Sequence, residues 1–391
     1  MREYVLVLLI AAGVTYLGAS LARRFAYLLK AVALVRDRDV HTKPVPYFGG
    51  PAMLAGLAAA FWVSGALPWL GSLPLVRNDV RGIFAAAAVI CGIGVLDDLI
   101  ELGALAKLSG QVLAAGILVL HGVRFYWIPL ADRVVTLDSA MSIAAAVFFV
   151  LLCVNAINFI DGLDGLAAGV TAIGSSAFFV YAYLLAYEQD LVRSTTASLV
   201  MVATCGVCLG FLPHNAHPAR MFMGDSGSML LGLLLATSAI SLTGQIDPSR
   251  LNPEGGALIS AFLPLLLPIA AMALPVIDLV SAYIRRTLAG RLWFQADKQH
   301  LHHRMLRLGH SHGRAVLLLW LWSFIIAYGT VLVGLTGSGW AALAVAAALV
   351  LAMVLTWGTG RRSDADARLP ASEAPERPTE AGSPRPQGGD R

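Results

Sequence analysis

Charge is scarce in this chain. Of its 391 residues only 13% are Asp, Glu, Lys or Arg, about half the share of a soluble domain. That shortage excludes an ordinary water-soluble protein, and a net charge of +4 gives no basic surface for nucleic acid. Cysteine is also rare. Cys91, Cys153, Cys205 and Cys208 all fall inside apolar runs. Cys205 and Cys208 form a CxxC, but no second His or Cys pair follows at zinc spacing. They read as small buried side chains, and disulfides are not expected. The nucleotide-cradling loops GxxxxGK[ST] and GxGxxG are absent. No period of 20–50 residues marks a repeat array.

What the chain has in abundance is apolar sequence: 58% hydrophobic residues and a mean hydropathy of +0.73. Windows long enough to cross a bilayer fall at about 3–21, 49–66, 81–96, 107–121, 140–156, 166–186, 195–212, 227–244, 257–283, 314–335 and 339–358. The expected fold is an all-α polytopic membrane protein of eleven transmembrane helices. Pro264, Pro268 and Pro275 should kink or break the long ninth span, because proline removes a backbone donor and clashes with the preceding turn. Basic residues follow the first span instead of preceding it, so it reads as an uncleaved helix. Residues 1–358 form the membrane domain. From 359 the chain turns rich in Pro, Gly, Ser and charge, which predicts a disordered tail over 359–391.

Lys and Arg crowd alternate loops, including Arg23, Arg24, Lys30, Arg36, Arg38 and Lys43, then Lys107, Arg220 and the run from Arg285 to Arg314. The positive-inside rule makes these loops cytoplasmic, with the N-terminus outside and the C-terminus in the cytoplasm. On the outer side VRFYWIPLADRVVTL alternates around a polar turn and predicts a small hairpin, with Tyr126 and Trp127 in the interfacial belt.

One stretch resists a purely structural reading. NAINFIDGLDGLAAG, residues 155–169, places Asn155, Asn158, Asp161 and Asp164 three apart between two oily runs. A bare carboxylate at the bilayer centre costs about 3 kcal/mol even on insertion scales. Steps of three turn a helix by about 300°, so the four groups cannot share one face of a continuous helix. Gly162 and Gly165 allow the chain to turn there. Asn155 and Asn158 would then line the end of one helix, and Asp161 and Asp164 the start of the next, a mouth suited to phosphate.

Four more polar segments map to the same side. They are DRDVHTKPVPYFGG (37–50), GVLDDLIELGALAKLSGQ (94–111) with Asp97 and Asp98, HNAHPARMFMGDSGSMLLG (214–232) with Asp225, and the loop 285–313 with His300, His302 and His303. Each alone has an ordinary explanation: a solvated helix end, a capping turn, a headgroup-binding basic loop. Their convergence on one membrane face does not. The chemistry that wants them is phosphoryl transfer. Mg²⁺ takes oxygen ligands from one or two carboxylates plus the substrate, and Asp225 with Asn158 or Asp161 would supply them. Asp97 or Asp98 would serve as base. Lys43, Lys107 or the histidines would face the charge developing on phosphorus.

At these residues the chain resembles the polyprenyl-phosphate N-acetylhexosamine-1-phosphate transferases (glycosyltransferase family 4). The resemblance rests on HTKPVPYFGG, GVLDD with the later Lys107 and Gln111, NAINFIDGLDGLAAG, NAHPARMFMGDSGS and the histidine loop. It implies a multi-pass enzyme of the bacterial cytoplasmic membrane, its active site on the cytoplasmic face. Such enzymes move a sugar 1-phosphate from a UDP-sugar to undecaprenyl or decaprenyl phosphate, release UMP and use Mg²⁺ or Mn²⁺. Carried over residue by residue, it implies Asp225 as principal metal ligand with Asn158 on the metal side. Asp97 and Asp98 become the catalytic pair, with Asp97 the favoured base. Asp161, Gly162, Leu163 and Asp164 would border the uridine pocket with Asn215 and Phe222. Asn155 joins the substrate site. Lys43 and Lys107 would meet phosphates, and His300, His302, His303 and Arg304 the sugar-phosphate side. The His-x-His-His pattern is similar to the branch that uses UDP-GlcNAc. The family often has a proline near the second half of the Asp97 loop, and GALAK lacks it, which leaves the placing of Lys107 open. A phospho-MurNAc-pentapeptide transferase is the alternative enzyme, and a transporter the alternative class. The sugar's C4 epimer, the lipid length and the oligomeric state, a homodimer among the options, stay open.

Overall fold

The computed structural model describes residues 1–28, 32–33, 45–130, 133–188, 192–245, 269–270, 272–288, 304–306 and 308–366. The described residues include eleven long helices: α1 Arg2–Leu28, α2 Gly49–Ala66, α3 Pro74–Ile100, α4 Ala104–Leu120, α5 Ser139–Ile160, α6 Leu166–Glu188, α7 Val192–Asn215, α8 Gly224–Gln245, α9 Ala273–Leu288, α10 His312–Thr336 and α11 Gly339–Asp366. Nine of them are long and apolar enough to cross a membrane, which makes this a polytopic membrane protein; α4 is a shorter apolar helix.

Local chemistry sets the ends. Pro74 opens α3 at a position where its missing N–H is not needed, so the helix starts seven residues before the apolar window expected from 81. The Asp138 carboxylate accepts the Met141 N–H at 2.8 Å and caps α5. Gly337 at φ 58° ends α10 in a left-handed cap. The last helix continues to Asp366, past the boundary expected at 358. Of the ninth expected span, residues 257–268 and the prolines Pro264 and Pro268 lie outside the described residues. Pro275 sits in the first turn of α9, where it starts a helix without kinking one.

The structure is not wholly helical. The expected hairpin forms, with β3 Trp127–Leu130 antiparallel to β4 Arg133–Thr136. A second ribbon of two residues a side, β1 Val32–Ala33 with β2 Val45–Pro46, was not anticipated; the architecture of the described residues is otherwise all-helical, as expected.

At the centre stands α8, buried along its whole apolar window. It packs on α2, α3, α5 and α7. A helix apolar on every side belongs in such a position. Small residues let the neighbours close in: a β-carbon on Gly94 of α3 would run into the Ser226 backbone. The outermost helix is α11, only 11% of whose window is buried.

Candidate active site

The chain path fixes where the polar groups meet. α4 leaves from Lys107 and ends at the hairpin; α5 returns from the hairpin and ends at Asn158 and Asp161. The last turn of α3, the first of α4, the last of α5 and the first of α8 therefore share one end of the bundle, opposite the hairpin.

Asp225, in the first turn of α8, is the hub. Its Oδ1 accepts the Asn158 Nδ2 at 2.6 Å. Its Oδ2 takes the Lys107 ammonium in an ion pair. The same ammonium reaches Asp97 Oδ2 at 3.0 Å. Asn158 Nδ2 also lies 2.9 Å from the Ser228 hydroxyl, one turn along α8.

The two adjacent acids of α3 have separate partners. Asp97 closes its own helix: its Oδ1 accepts the Leu102 N–H at 2.7 Å. Asp98 caps a different one. Its Oδ1 accepts the Asp225 N–H at 2.8 Å, and its Oδ2 accepts the Ser226 N–H at 3.3 Å and the Ser226 hydroxyl at 2.9 Å. The free donors at the start of α8 are thus met by a carboxylate from another helix, with the charge that the helix dipole favours.

The turn between α5 and α6 is the predicted break. α5 stops at Ile160, α6 starts at Leu166, and Gly165 takes φ +76°, which a side chain would resist. Both aspartates lie in the turn, before α6 begins. Asp161 follows the last residue of α5. Burial, and then the charges of Asp225, Asp98 and Asp164, push its carboxyl up to about 8. Asp164 is buried and holds the next loop, accepting from His217 Nδ1 at 2.7 Å and the Ala219 N–H at 3.1 Å. Asn215 stitches the same two segments: its Oδ1 accepts the Gly165 N–H at 3.0 Å and its Nδ2 donates to the Met221 carbonyl at 3.1 Å. Gly162 is exposed and Leu163 buried.

Phe222 is tied in through its backbone. Its N–H donates to the Pro46 carbonyl at 2.9 Å, and its carbonyl accepts the Gly49 N–H at 3.1 Å. Its ring lies 6.1 Å from that of Tyr47. Asn155 stands one turn deeper, donating to Gln111 Oε1 at 2.8 Å. Arg304 is exposed, in a short helical turn. Lys43, His300, His302 and His303 lie outside the described residues.

Sequence reading passed over Ser226, Ser228, His217 and His312. The serines stood in GDSGS, where a capping turn was one reading of the motif. The two histidines form a stacked pair, with ring centroids 4.1 Å apart at 17°, beside Asp164, which His312 Nε2 approaches to 3.9 Å. One ligand atom from each of Asp164, His217 and His312 lies within 4.8 Å of the others. A metal binds imidazole in the ring plane, however, and near-parallel stacked rings do not share one. The arrangement is a clamp joining the 161–165 turn, the loop before α8 and the start of α10.

A cation fits better at Asp225. Asp97, Asp98, Asp161 and Asp225 crowd together, and the ammonium between Asp97 and Asp225 marks where positive charge is already held. Carboxylate oxygen with a side-chain amide is the donor set of a hard cation.

The sequence signature described as glycosyl transferase family 4 matches residues 80–243, which span α3 to α8. A decaprenyl-phosphate N-acetylglucosaminephosphotransferase of Mycobacterium leprae is 44% identical over 334 residues, 84% of this chain and 83% of the relative. The chain belongs to glycosyl transferase family 4. A probable undecaprenyl-phosphate N-acetylglucosaminyl 1-phosphate transferase of Bacillus subtilis is 33% identical over 313 residues, 80% of this chain and 79% of the relative. A phospho-N-acetylmuramoyl-pentapeptide-transferase of Desulforudis audaxviator is 31% identical over 322 residues, 77% of this chain and 88% of the relative. In this member of the family, the matched segment carries every residue of the Asp225 cluster.

Proposed function

We propose that this protein transfers N-acetylglucosamine 1-phosphate from UDP-GlcNAc to a polyprenyl phosphate, undecaprenyl or decaprenyl phosphate, releasing UMP and starting a lipid-linked cell-envelope glycan. The observation that carries the reading is the Asp225 cluster. Carboxylates, an amide and an ammonium from four helices meet at one end of the bundle. A phosphorylated lipid headgroup would lie at that depth, and a soluble nucleotide would reach it from water. Transporters bind at the midplane, often between inverted repeats; polar groups at helix ends speak against that class.

The lipid phosphate attacks the β-phosphorus of UDP-GlcNAc. The bond from that phosphorus to the bridging oxygen breaks, and UMP departs with the oxygen. A phosphate monoester has its second pKa near 6, so the dianion is already nucleophilic at neutral pH and asks little of a base. Asp97 is the favoured base. Asp98, engaged by the start of α8, keeps Asp225 in place. Asp225 and Asn158 would hold Mg²⁺ or Mn²⁺, which when bound supplies charge neutralisation at the pyrophosphate. Asp161, Gly162, Leu163, Asp164, Asn215 and Phe222 form the uridine side. The positive-inside pattern puts this end in the cytoplasm of a bacterial cell and the hairpin outside.

The UDP-GlcNAc assignment follows the His-x-His-His pattern and the higher identity to relatives named for N-acetylglucosamine. Purified protein with polyprenyl phosphate should release UMP from UDP-GlcNAc and not from UDP-MurNAc-pentapeptide. The reverse preference would move it to the peptidoglycan branch, and release from neither would sink the transferase reading.

A further inference from the structure

Both oxygens of the Asp225 carboxylate are engaged by side chains of the protein itself, Oδ1 by Asn158 and Oδ2 by Lys107. The Asn158 contact is neutral and compatible with a cation. The Lys107 contact is not, since two positive centres on one carboxylate repel at short range. We propose that Lys107 is a resident counter-ion that a divalent cation must displace from Asp225, and that the displaced ammonium stays on Asp97 as a donor for the pyrophosphate. This rests on Asp225 being the metal-holding residue, the reading given above.

Three features of the site support the exchange. Lys107 is tethered in the first turn of α4 by its N–H to the Gly103 carbonyl at 3.1 Å, so only the side chain need move. That side chain is a flexible stem with three rotatable donors. Its second partner, Asp97 Oδ2 at 3.0 Å, holds the charge after the first is given up. The ammonium is also poorly hydrated: side-chain exposure is 20% for Lys107 and 11% for Asp97. A half-buried cation leaves one carboxylate readily only if another remains. In the cation-free protein the ammonium keeps Asp97 and Asp225 from repelling each other. In the loaded protein the metal takes over that role at Asp225. Metal and nucleotide binding are then coupled through one side chain, each favouring the other.

A ligand competing with a resident group sees its affinity reduced by the fraction of time the site is free. If Lys107 holds Asp225 nine-tenths of the time, its removal tightens metal binding about tenfold. The test is Mn²⁺ titration of the full chain in detergent, followed by electron paramagnetic resonance, for wild type, Lys107→Met, Lys107→Arg and Arg220→Met. Arg220 is exposed on the loop before α8 and serves as the control for loss of charge at the same membrane face. Lys107→Met should bind Mn²⁺ about tenfold more tightly in the absence of nucleotide, and added UDP should raise its Mn²⁺ affinity less than it does in wild type. Lys107→Arg and Arg220→Met should stay near wild type. Lys107→Met should also melt lower in EDTA and regain its stability in Mn²⁺. In wild type, adding Mn²⁺ should raise the reactivity of Lys107 toward an amine-acetylating reagent read by mass spectrometry, a measurement independent of whether any variant folds. Unchanged affinity in Lys107→Met, equal tightening in Arg220→Met, or unchanged Lys107 reactivity would overturn the inference alone. Wild type that binds no Mn²⁺ would overturn it together with the metal reading.

Discussion

Asp98→Ala separates a structural carboxylate from a chemical one. The side chain accepts three hydrogen bonds, from the Asp225 N–H, the Ser226 N–H and the Ser226 hydroxyl. Hydrogen bonds to a charged group contribute about 1.5–3 kcal/mol each, and a lost helix cap costs about 1 kcal/mol. These terms overlap, and water at the open end of the bundle replaces part of them. The net expectation is a loss of about 3 kcal/mol, a large share of a typical stability of about 5–15 kcal/mol. Asp98→Asn keeps one acceptor oxygen and should lose about half as much. Ser226→Ala removes one of the three donors and should cost about 1 kcal/mol. Its effect should shrink in an Asp98→Ala background, giving a coupling of about 1 kcal/mol. The assay is reversible unfolding in mixed micelles with increasing SDS, run beside UMP release. Turnover in Asp98→Ala should fall because the first turn of α8 frays and Asp225 loses its position. Asp98→Asn should retain measurable turnover. An Asp98→Ala protein within about 0.5 kcal/mol of wild type, the range of an ordinary surface substitution, would refute the capping argument. So would an Asp98→Asn protein that is fully stable and wholly inactive, since Asp98 would then act in the chemistry.

Asp225→Asn should abolish UMP release and its response to Mg²⁺ while unfolding at the wild-type SDS fraction; near-normal turnover at low Mg²⁺ would refute the assignment. Asn215→Ala leaves the Gly165 N–H and the Met221 carbonyl without their side-chain partners; it should cost about 2 kcal/mol and raise KM for UDP-GlcNAc more than it lowers kcat, and an unchanged KM would place the uridine pocket elsewhere. A cysteine at Ala219 should react with an impermeant thiol reagent from the cytoplasmic side only and one at Thr136 from the outside only, and the opposite pattern would invert the topology. Truncation after Asp366 should leave specific activity within a few-fold, and a loss like that of Asp225→Asn would give the tail a role.

What the sequence made legible was periodic or local. Apolar windows locate the helices because burial in lipid demands them over a fixed length. The α5–α6 break follows from spacing alone: four polar residues at intervals of three fit no single helix face, and Gly165 adopts the turn this requires. The hairpin at 127–136 follows from alternation. What stayed hidden depends on pairs far apart in the chain. Asp98 and Asp225 are separated by 127 positions, so nothing near Asp98 announces that it caps α8. The expected start of α8 at 227 is late for the same reason, because the cap that lets the helix begin at Gly224 comes from α3. The start of α3 was missed because Arg77, Asn78, Asp79 and Arg81 interrupt its apolar run and only Pro74 marks the true beginning. No local pattern announced that Asp164 accepts from His217 and Ala219, more than fifty positions away. His312 was one histidine among several in its loop, and only the structure sets its ring against His217.

The placement of α8 bears on how the protein meets membranes of different thickness. Mismatch between a span and the hydrocarbon is absorbed by tilting or by local bilayer deformation, at a fraction of a kcal/mol per ångström. Those forces act on surfaces that lipid touches. The windows of α11 and α1 are 11% and 22% buried and take the load, while that of α8 is 100% buried and has no lipid boundary. The body of α8, which carries Asp225 at its tip and is latched to α3 by Asp98, is therefore shielded from lipid tails by the helices packed on it, α2, α3, α5 and α7 among them. In bilayers of graded acyl length the outer helices should tilt while the reach from Asp225 to Asn158 and Lys107 holds. The rate should then respond to lipid thickness only through the depth at which the acceptor phosphate is presented.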